Sequence, residues 1–188
     1  YESANYNNAQ FNGSFIAEEL CVAENSVALD GFQDDTSIDS AGLYDLNGIH
    51  VLYSYKAHER VYPASITKIM TALLTLENSN LDDMVTISKT AAASSLPYYA
   101  QVCGLKAGDV WKLEDLLNAL MIYSGNDVAL AIAEHIGGSV DEFVNMMNRR
   151  ARELYAVNTR FMNPHGLHHD KHYTTAYDLY LIFKECIK

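Results

Sequence analysis

Positive charge is scarce in this 188-residue chain: 13 lysines and arginines stand against 24 aspartates and glutamates, a formal net charge of −11. A surface of that sign repels phosphate backbones, so it argues against nucleic acid as a partner and favours solubility. Long apolar runs are also missing. None reaches the roughly 18 residues that a membrane-spanning helix needs. No stretch has the pattern of a signal peptide, a segment that a mature exported chain has already lost. Cys21, Cys103 and Cys186 are odd in number, widely spaced and without a Cys-x-x-Cys pair. They read as buried or free thiols rather than a disulfide framework. Internal repeats are absent. What is present is a hydrophobic fraction of 49%, in a length that suits one domain with a sizeable core.

Residues 1–35 begin with an Asn-rich polar run, Tyr1 to Ser14, that shows no periodicity. This part reads as a flexible lead-in, and residues 36–188 as the folded portion. Two β-rich runs, Ser40–Leu46 and Ile49–Tyr55, flank Asn47-Gly48, the favoured two-residue hairpin turn. Ile66, Ile69, Met70, Leu73 and Leu74 then recur at three- and four-residue steps, which predicts an amphipathic helix from Ser65 that buries one face. Met84–Ser88 is a short strand or extended piece, and Ala91–Cys103 has no clear pattern. Leu113, Leu116, Leu117, Leu120 and Met121 mark a second helix, ending near Ser124-Gly125-Asn126. A third, from Asp127 to Ile136, is apolar all round, reads as the central buried helix and stops at Gly137-Gly138. Ser139-x-x-Glu142 and Thr175-x-x-Asp178 are capping signals for two more helices. One hairpin cannot cover a core of this size, so further strands are expected beyond residue 188 or from a partner.

Three groups of residues carry possible chemistry. Ser65 and Lys68 lie three apart at a helix start, which puts a hydroxyl beside an amine about one turn away. Serine needs a base to act as a nucleophile, and lysine serves as one only when burial or nearby positive charge keeps it neutral. The Ser65 N–H, expected at the helix N-terminus, is a candidate for half of an oxyanion hole. A Ser-x-x-Lys also arises by chance about once in a chain of this length, so the pair has two readings. Ser124-Gly125-Asn126 has two as well: a proton-relaying hydroxyl with an orienting amide, or an inter-helix turn of ordinary turn residues. His165, His168, His169 and His172, with Asp170, are dense enough for zinc but follow a Pro-Gly turn and lack His-Glu-x-x-His, so they read as a solvated polar loop. Lys89-Thr90 and Tyr98-Tyr99 read as surface and packing residues.

Taken in order, Tyr62-Pro-Ala-Ser-Ile-Thr-Lys-Ile-Met-Thr-Ala-Leu-Leu, Tyr123-Ser-Gly-Asn-Asp, Ala133-Glu-His-Ile-Gly-Gly-Ser-Val, Asn163-Pro-His-Gly-Leu and His172-Tyr-Thr-Thr-Ala-Tyr-Asp-Leu resemble the serine-type D-alanyl-D-alanine carboxypeptidases, the low-molecular-mass penicillin-binding proteins. The resemblance runs from about Ser37 to Lys188. It implies an α/β fold of the α+β type, β-lactamase/transpeptidase-like, with a helical cluster on an antiparallel sheet and several strands missing from this chain. It also implies Ser65 as acylated nucleophile, Lys68 as general base, Ser124 as proton relay and Asn126 as the group that positions Lys68 and the substrate amide. The implied substrate is a peptidoglycan stem peptide ending in D-Ala-D-Ala, with β-lactams as mimics that acylate Ser65. No metal or cofactor is implied. The location implied is extracytoplasmic, with membrane association expected only through segments absent here.

One departure stands out. The family's third motif, Lys-Thr-Gly, is absent, and the only Lys-Thr, Lys89-Thr90, is followed by Ala91. The chain is therefore expected to be the N-terminal part of a longer enzyme, and inactive and poor at binding β-lactams by itself. A β-lactamase is the alternative within the same chemistry, but no carboxylate between Asn126 and Lys188 stands out to activate water. A non-catalytic wall-binding module of the same fold and a zinc hydrolase are the alternatives outside it.

Overall fold

The computed structural model describes residues 38–46 and 50–188. The proposed lead-in over residues 1–35, the Asn47-Gly48 turn and Cys21 lie outside the described residues. Strands β1 (Ala41–Tyr44) and β2 (Val51–Tyr55) pair antiparallel as the flanking patterns predict, Ala41 opposite Tyr55 and Leu43 opposite Tyr53. All four β1 residues are buried, whereas most of β2 is exposed. β1 packs on the last helix, where the Tyr44 ring stacks on Tyr180 with centroids 4.2 Å apart.

Helix α1 (Lys68–Asn78) follows, and then β3 (Met84–Thr86), β4 (Val110–Lys112), α2 (Leu113–Ile122), α3 (Asn126–Gly137), α4 (Val140–Glu153) and α5 (Ala176–Cys186). β3 and β4 form a second antiparallel pair, Val85 opposite Trp111. The patterns of the sequence do not announce β4, because three residues are too few to show alternation. Pairing with β3 defines it instead, and backbone bonds from Ile87 N to Asp109 O and from Gly108 N to Ile87 O continue the pair beyond its end. Both capping signals operate: Ser139 Oγ accepts from Glu142 N at 3.1 Å, and Thr175 Oγ1 from Asp178 N at 3.0 Å. Gly138 closes α3 with φ +72°, a left-handed conformation that favours glycine.

The expected one-sided burial of the first helix is corrected. From Met70 to Thr75 every residue of α1 is buried, because two apolar clusters lie on opposite sides of it. One joins Ala72 to Val85, Leu116, Leu120 and Ile132 of β3, α2 and α3. The other joins Met70, Leu73 and Leu74 to Phe143, Met147 and Ile182 of α4 and α5. The polar Thr71 and Thr75 are tolerated inside because each hydroxyl donates to a carbonyl, Pro164 O and Thr71 O, at 2.7 Å. α1 is thus as central as α3.

Candidate active site

Ser65 sits on a short 3-10 turn, Ala64–Thr67, that runs directly into α1, so the α-helix proper begins at Lys68 rather than at Ser65. The turn is tight. Ala64 has φ +47°, uncommon for a residue with a Cβ and of a kind concentrated at functional sites. Ser65 is exposed, and its backbone N–H meets no acceptor among the described residues. An exposed hydroxyl and an unused N–H therefore belong to the same residue, the two groups that attack on a carbonyl requires.

Lys68, in contrast, is only 3% exposed and has no carboxylate within ion-pair reach among the described residues. Burial without a counter-charge pushes its amine down to about 8. Its Nζ donates to Asn126 Oδ1 and to the His165 carbonyl, each at 2.7 Å, and lies 3.2 Å from Ser65 Oγ. A neutral amine has two N–H groups. With both on the two short acceptors, its lone pair is left for the Ser65 hydroxyl, which is the geometry of a general base.

Asn126 is the first residue of α3, and its own N–H is tied to Gln101 O at 2.8 Å. With Oδ1 on Lys68, its NH2 is the end that remains for a substrate carbonyl. The next residue is a fully buried carboxylate. Asp127 Oδ1 accepts from Cys103 N and Val128 N, and Oδ2 from Gly104 N and Leu105 N, all at 2.9–3.0 Å. This clamps the 101–105 segment to the start of α3 and so fixes Asn126. Ser124 is half-buried with φ +64°, and it makes no hydrogen bond to Ser65, Lys68 or Asn126. The fold thus brings Ser65, Lys68 and Asn126 into one network that does not include Ser124.

The histidines do not form one solvated loop. His168 and His169 are exposed, but His165 and His172 are 8% and 2% exposed. Burial, with Lys68 next in weight for His165 and His169 for His172, pushes each of the two imidazoles down to about 4. The ring nitrogens of His172 meet Thr67 Oγ1 at 2.8 Å and Met162 N at 3.2 Å, and His165 Nδ1 accepts from Leu167 N. No group of three metal-ligating side chains converges among the described residues. Lys89-Thr90-Ala91 lies in a turn, not on a strand edge, and Tyr98 and Tyr99 are exposed. Cys103 and Cys186 are free thiols.

Composition and spacing do not single out the His165 carbonyl, the Asp127 carboxylate or the Thr67–His172 contact. The only signal is that these residues stand inside the Tyr62-Pro-Ala-Ser-Ile-Thr-Lys, Tyr123-Ser-Gly-Asn-Asp, Asn163-Pro-His-Gly and His172-Tyr-Thr-Thr strings.

Known proteins share this sequence pattern and fold. The model of the D-alanyl-D-alanine carboxypeptidase family S11 matches residues 28–188. D-alanyl-D-alanine carboxypeptidase DacF of Bacillus subtilis (strain 168) is 40% identical over 154 residues, covering 79% of this chain and 39% of that protein. DacC of Escherichia coli (strain K12) is 38% identical over 152 residues, covering 77% and 38%. The crystal structure of DacD from Francisella tularensis superposes with a TM-score of 0.75 at 29% identity, over 91% of this chain and 40% of that one. The Streptomyces K15 DD-transpeptidase gives 0.72 at 33% identity, over 77% and 58%. The chain therefore spans about two fifths of the length of the curated relatives it matches. It belongs to the D-alanyl-D-alanine carboxypeptidase family of serine peptidases.

Proposed function

We propose that this chain carries the acylation centre of a serine D-Ala-D-Ala carboxypeptidase acting on peptidoglycan stem peptides. The observation that carries the reading is the Lys68 amine, buried without a counter-charge and held 3.2 Å from the exposed Ser65 hydroxyl. In the first half-reaction the Ser65 Oγ–H proton passes to neutral Lys68. The Oγ–C bond forms at the carbonyl of the penultimate D-Ala, and the Ser65 N–H faces the developing oxyanion. The C–N bond to the terminal D-Ala then breaks, and the proton moves from Lys68 through Ser124 to the departing amine. Water hydrolyses the resulting ester and restores Ser65. Asn126 holds Lys68 with Oδ1 and the substrate carbonyl with its amide.

β-Lactams enter as mimics whose ring amide takes the place of the scissile bond, and the site faces the cell wall outside the cytoplasmic membrane. Among the described residues no helix is long and apolar enough to cross a membrane. The family resemblance places the remaining oxyanion donor and the substrate-carboxylate contact on a Lys-Thr-Gly strand, which this sequence lacks. The 188 residues alone are therefore expected to be inactive. The test is release of D-alanine from a peptide ending in D-Ala-D-Ala by the full-length protein and by its Ser65→Ala variant. Release by the first and not the second supports the reading; release by both, or by neither, overturns it.

A further inference from the structure

The segment from Met162 to His172 follows the start of the nucleophile helix contact by contact. The Pro164 carbonyl accepts from Thr71, the His165 carbonyl from Lys68, and Gly166 lies against the Ala64–Ser65 backbone. At the far end of the segment is His172, whose Nε2 is 2.8 Å from Thr67 Oγ1, between Ser65 and Lys68 in sequence. Both Thr67 and His172 are almost fully buried, at 0% and 2% exposure. Met162 N–H donates to His172 Nδ1 at 3.2 Å, so Nδ1 carries no proton. In the neutral ring the proton is then on Nε2, which donates to the Thr67 hydroxyl. One imidazole thereby joins the backbone of the 162–166 segment to the turn that carries the reacting groups. Ring packing fixes it further, with Phe161 edge-on at 5.7 Å between centroids.

We propose that His172 is a positioning residue for acylation: through Thr67 it sets the Ala64–Thr67 turn so that Lys68 Nζ reaches Ser65 Oγ. It touches neither substrate nor the reacting atoms. The inference rests on the carboxypeptidase reading, because the geometry it protects is that of the Ser65–Lys68 pair. Packing alone would be served by any ring of similar size. A positioning role needs the donor on Nε2, since among the described residues that is the one hydrogen bond of the Thr67 hydroxyl and it ties the turn to the 162–172 segment. The titratable groups around His172 are His165, His168 and His169, and the first of these holds Lys68 only through its backbone carbonyl.

The experiment measures the rate of acylation by a fluorescent penicillin in the full-length protein, with thermal melting of each variant alongside. His172→Gln, whose amide nitrogen reaches the position of Nε2, keeps the donor; His172→Phe keeps the ring but loses it. Thr67→Val removes the acceptor. Loss of one buried hydrogen bond that holds the reacting pair is expected to slow acylation about tenfold or more in His172→Phe and Thr67→Val, with His172→Gln within a few-fold of wild type. The double variant should be no slower than either single one, because both remove the same link. Rescue by the conservative variant gives the readout that packing does not move: His172→Gln restores the donor to Thr67 without restoring the ring, so its acylation rate should stay near wild type even where its melting temperature falls. If folded His172→Phe acylates like wild type, or if His172→Phe and His172→Gln lose rate and stability equally, His172 is structural only and the inference fails. If the wild-type protein is not acylated at all, the carboxypeptidase reading itself fails and takes the inference with it.

Discussion

Gly166 and Ala64 meet backbone to backbone: a Cβ built on Gly166 would lie 1.8 Å from the Ala64 carbonyl oxygen and 3.0 Å from Ser65 N. Two unusual conformations face each other there, Gly166 at φ +90° and Ala64 at φ +47°. Only a residue without a side chain allows the Asn163–Gly166 turn to come close enough for the His165 carbonyl to reach Lys68. Gly166→Ala is therefore expected to destabilise the fold by about 2–4 kcal/mol and to abolish rapid acylation. Urea unfolding together with penicillin labelling checks it; a stable variant with wild-type labelling would show that the contact is dispensable.

Asn126 is neutral where a carboxylate would fit, and this matters for Lys68. A carboxylate at the position of Asn126 Oδ1, 2.7 Å from Nζ, would favour the charged ammonium and raise the amine above its present value of about 8. Asn126→Asp should then slow acylation by about 100-fold at neutral pH and move the rising limb of the pH profile to higher pH. An unshifted profile in a folded variant would mean that Lys68 is not the base.

The buried histidines give stability its pH dependence. His165 and His172 lie near 4 in the folded protein against an ordinary value of 6.5, so between these values the unfolded chain binds more protons. The contribution of the two rings is then complete above 6.5 and is lost as pH falls towards 4, by up to about 3 kcal/mol for each ring. Lys68, depressed from 10.5 to about 8, adds a second rise in stability with pH between those two values. Denaturant unfolding at pH 7 and pH 4.5 should show the acid loss in the wild-type protein and a smaller one in His165→Asn. Equal losses in the two proteins would contradict the assignment to His165.

Asp127 serves four backbone N–H groups with two oxygens. Asp127→Asn keeps the shape but turns an NH2 towards N–H donors, and should cost about 2–4 kcal/mol. Because the same groups fix Asn126, labelling of Ser65 should slow as well. A shift in melting temperature without a change in labelling rate would confine Asp127 to stability.

Much of this was legible beforehand, and the exceptions share a cause. Caps such as Ser139 with Glu142 are local, and so are the Asn126–Gly137 helix and its terminal glycine. Sequence spacing reads such features directly. The full burial of α1 was not legible, since it depends on two clusters assembled from elements far along the chain. The same holds for β4, which exists because it pairs with β3, and for His165 and His172, which a polar string suggests are in water. Ser65, Lys68 and Asn126 were named from their residue types and from family likeness. That Lys68 is held by a main-chain carbonyl 97 residues away follows only from the fold.

The most direct test of the central claim is mass spectrometry of the full-length protein after brief exposure to penicillin, with the modified peptide sequenced. The expected result is one penicilloyl adduct, on Ser65, formed in the presence of chelator, absent in Ser65→Ala and strongly reduced in Lys68→Ala. No adduct, or an adduct on Ser124 or any other residue, would contradict an acyl-transfer centre built on Ser65 and Lys68.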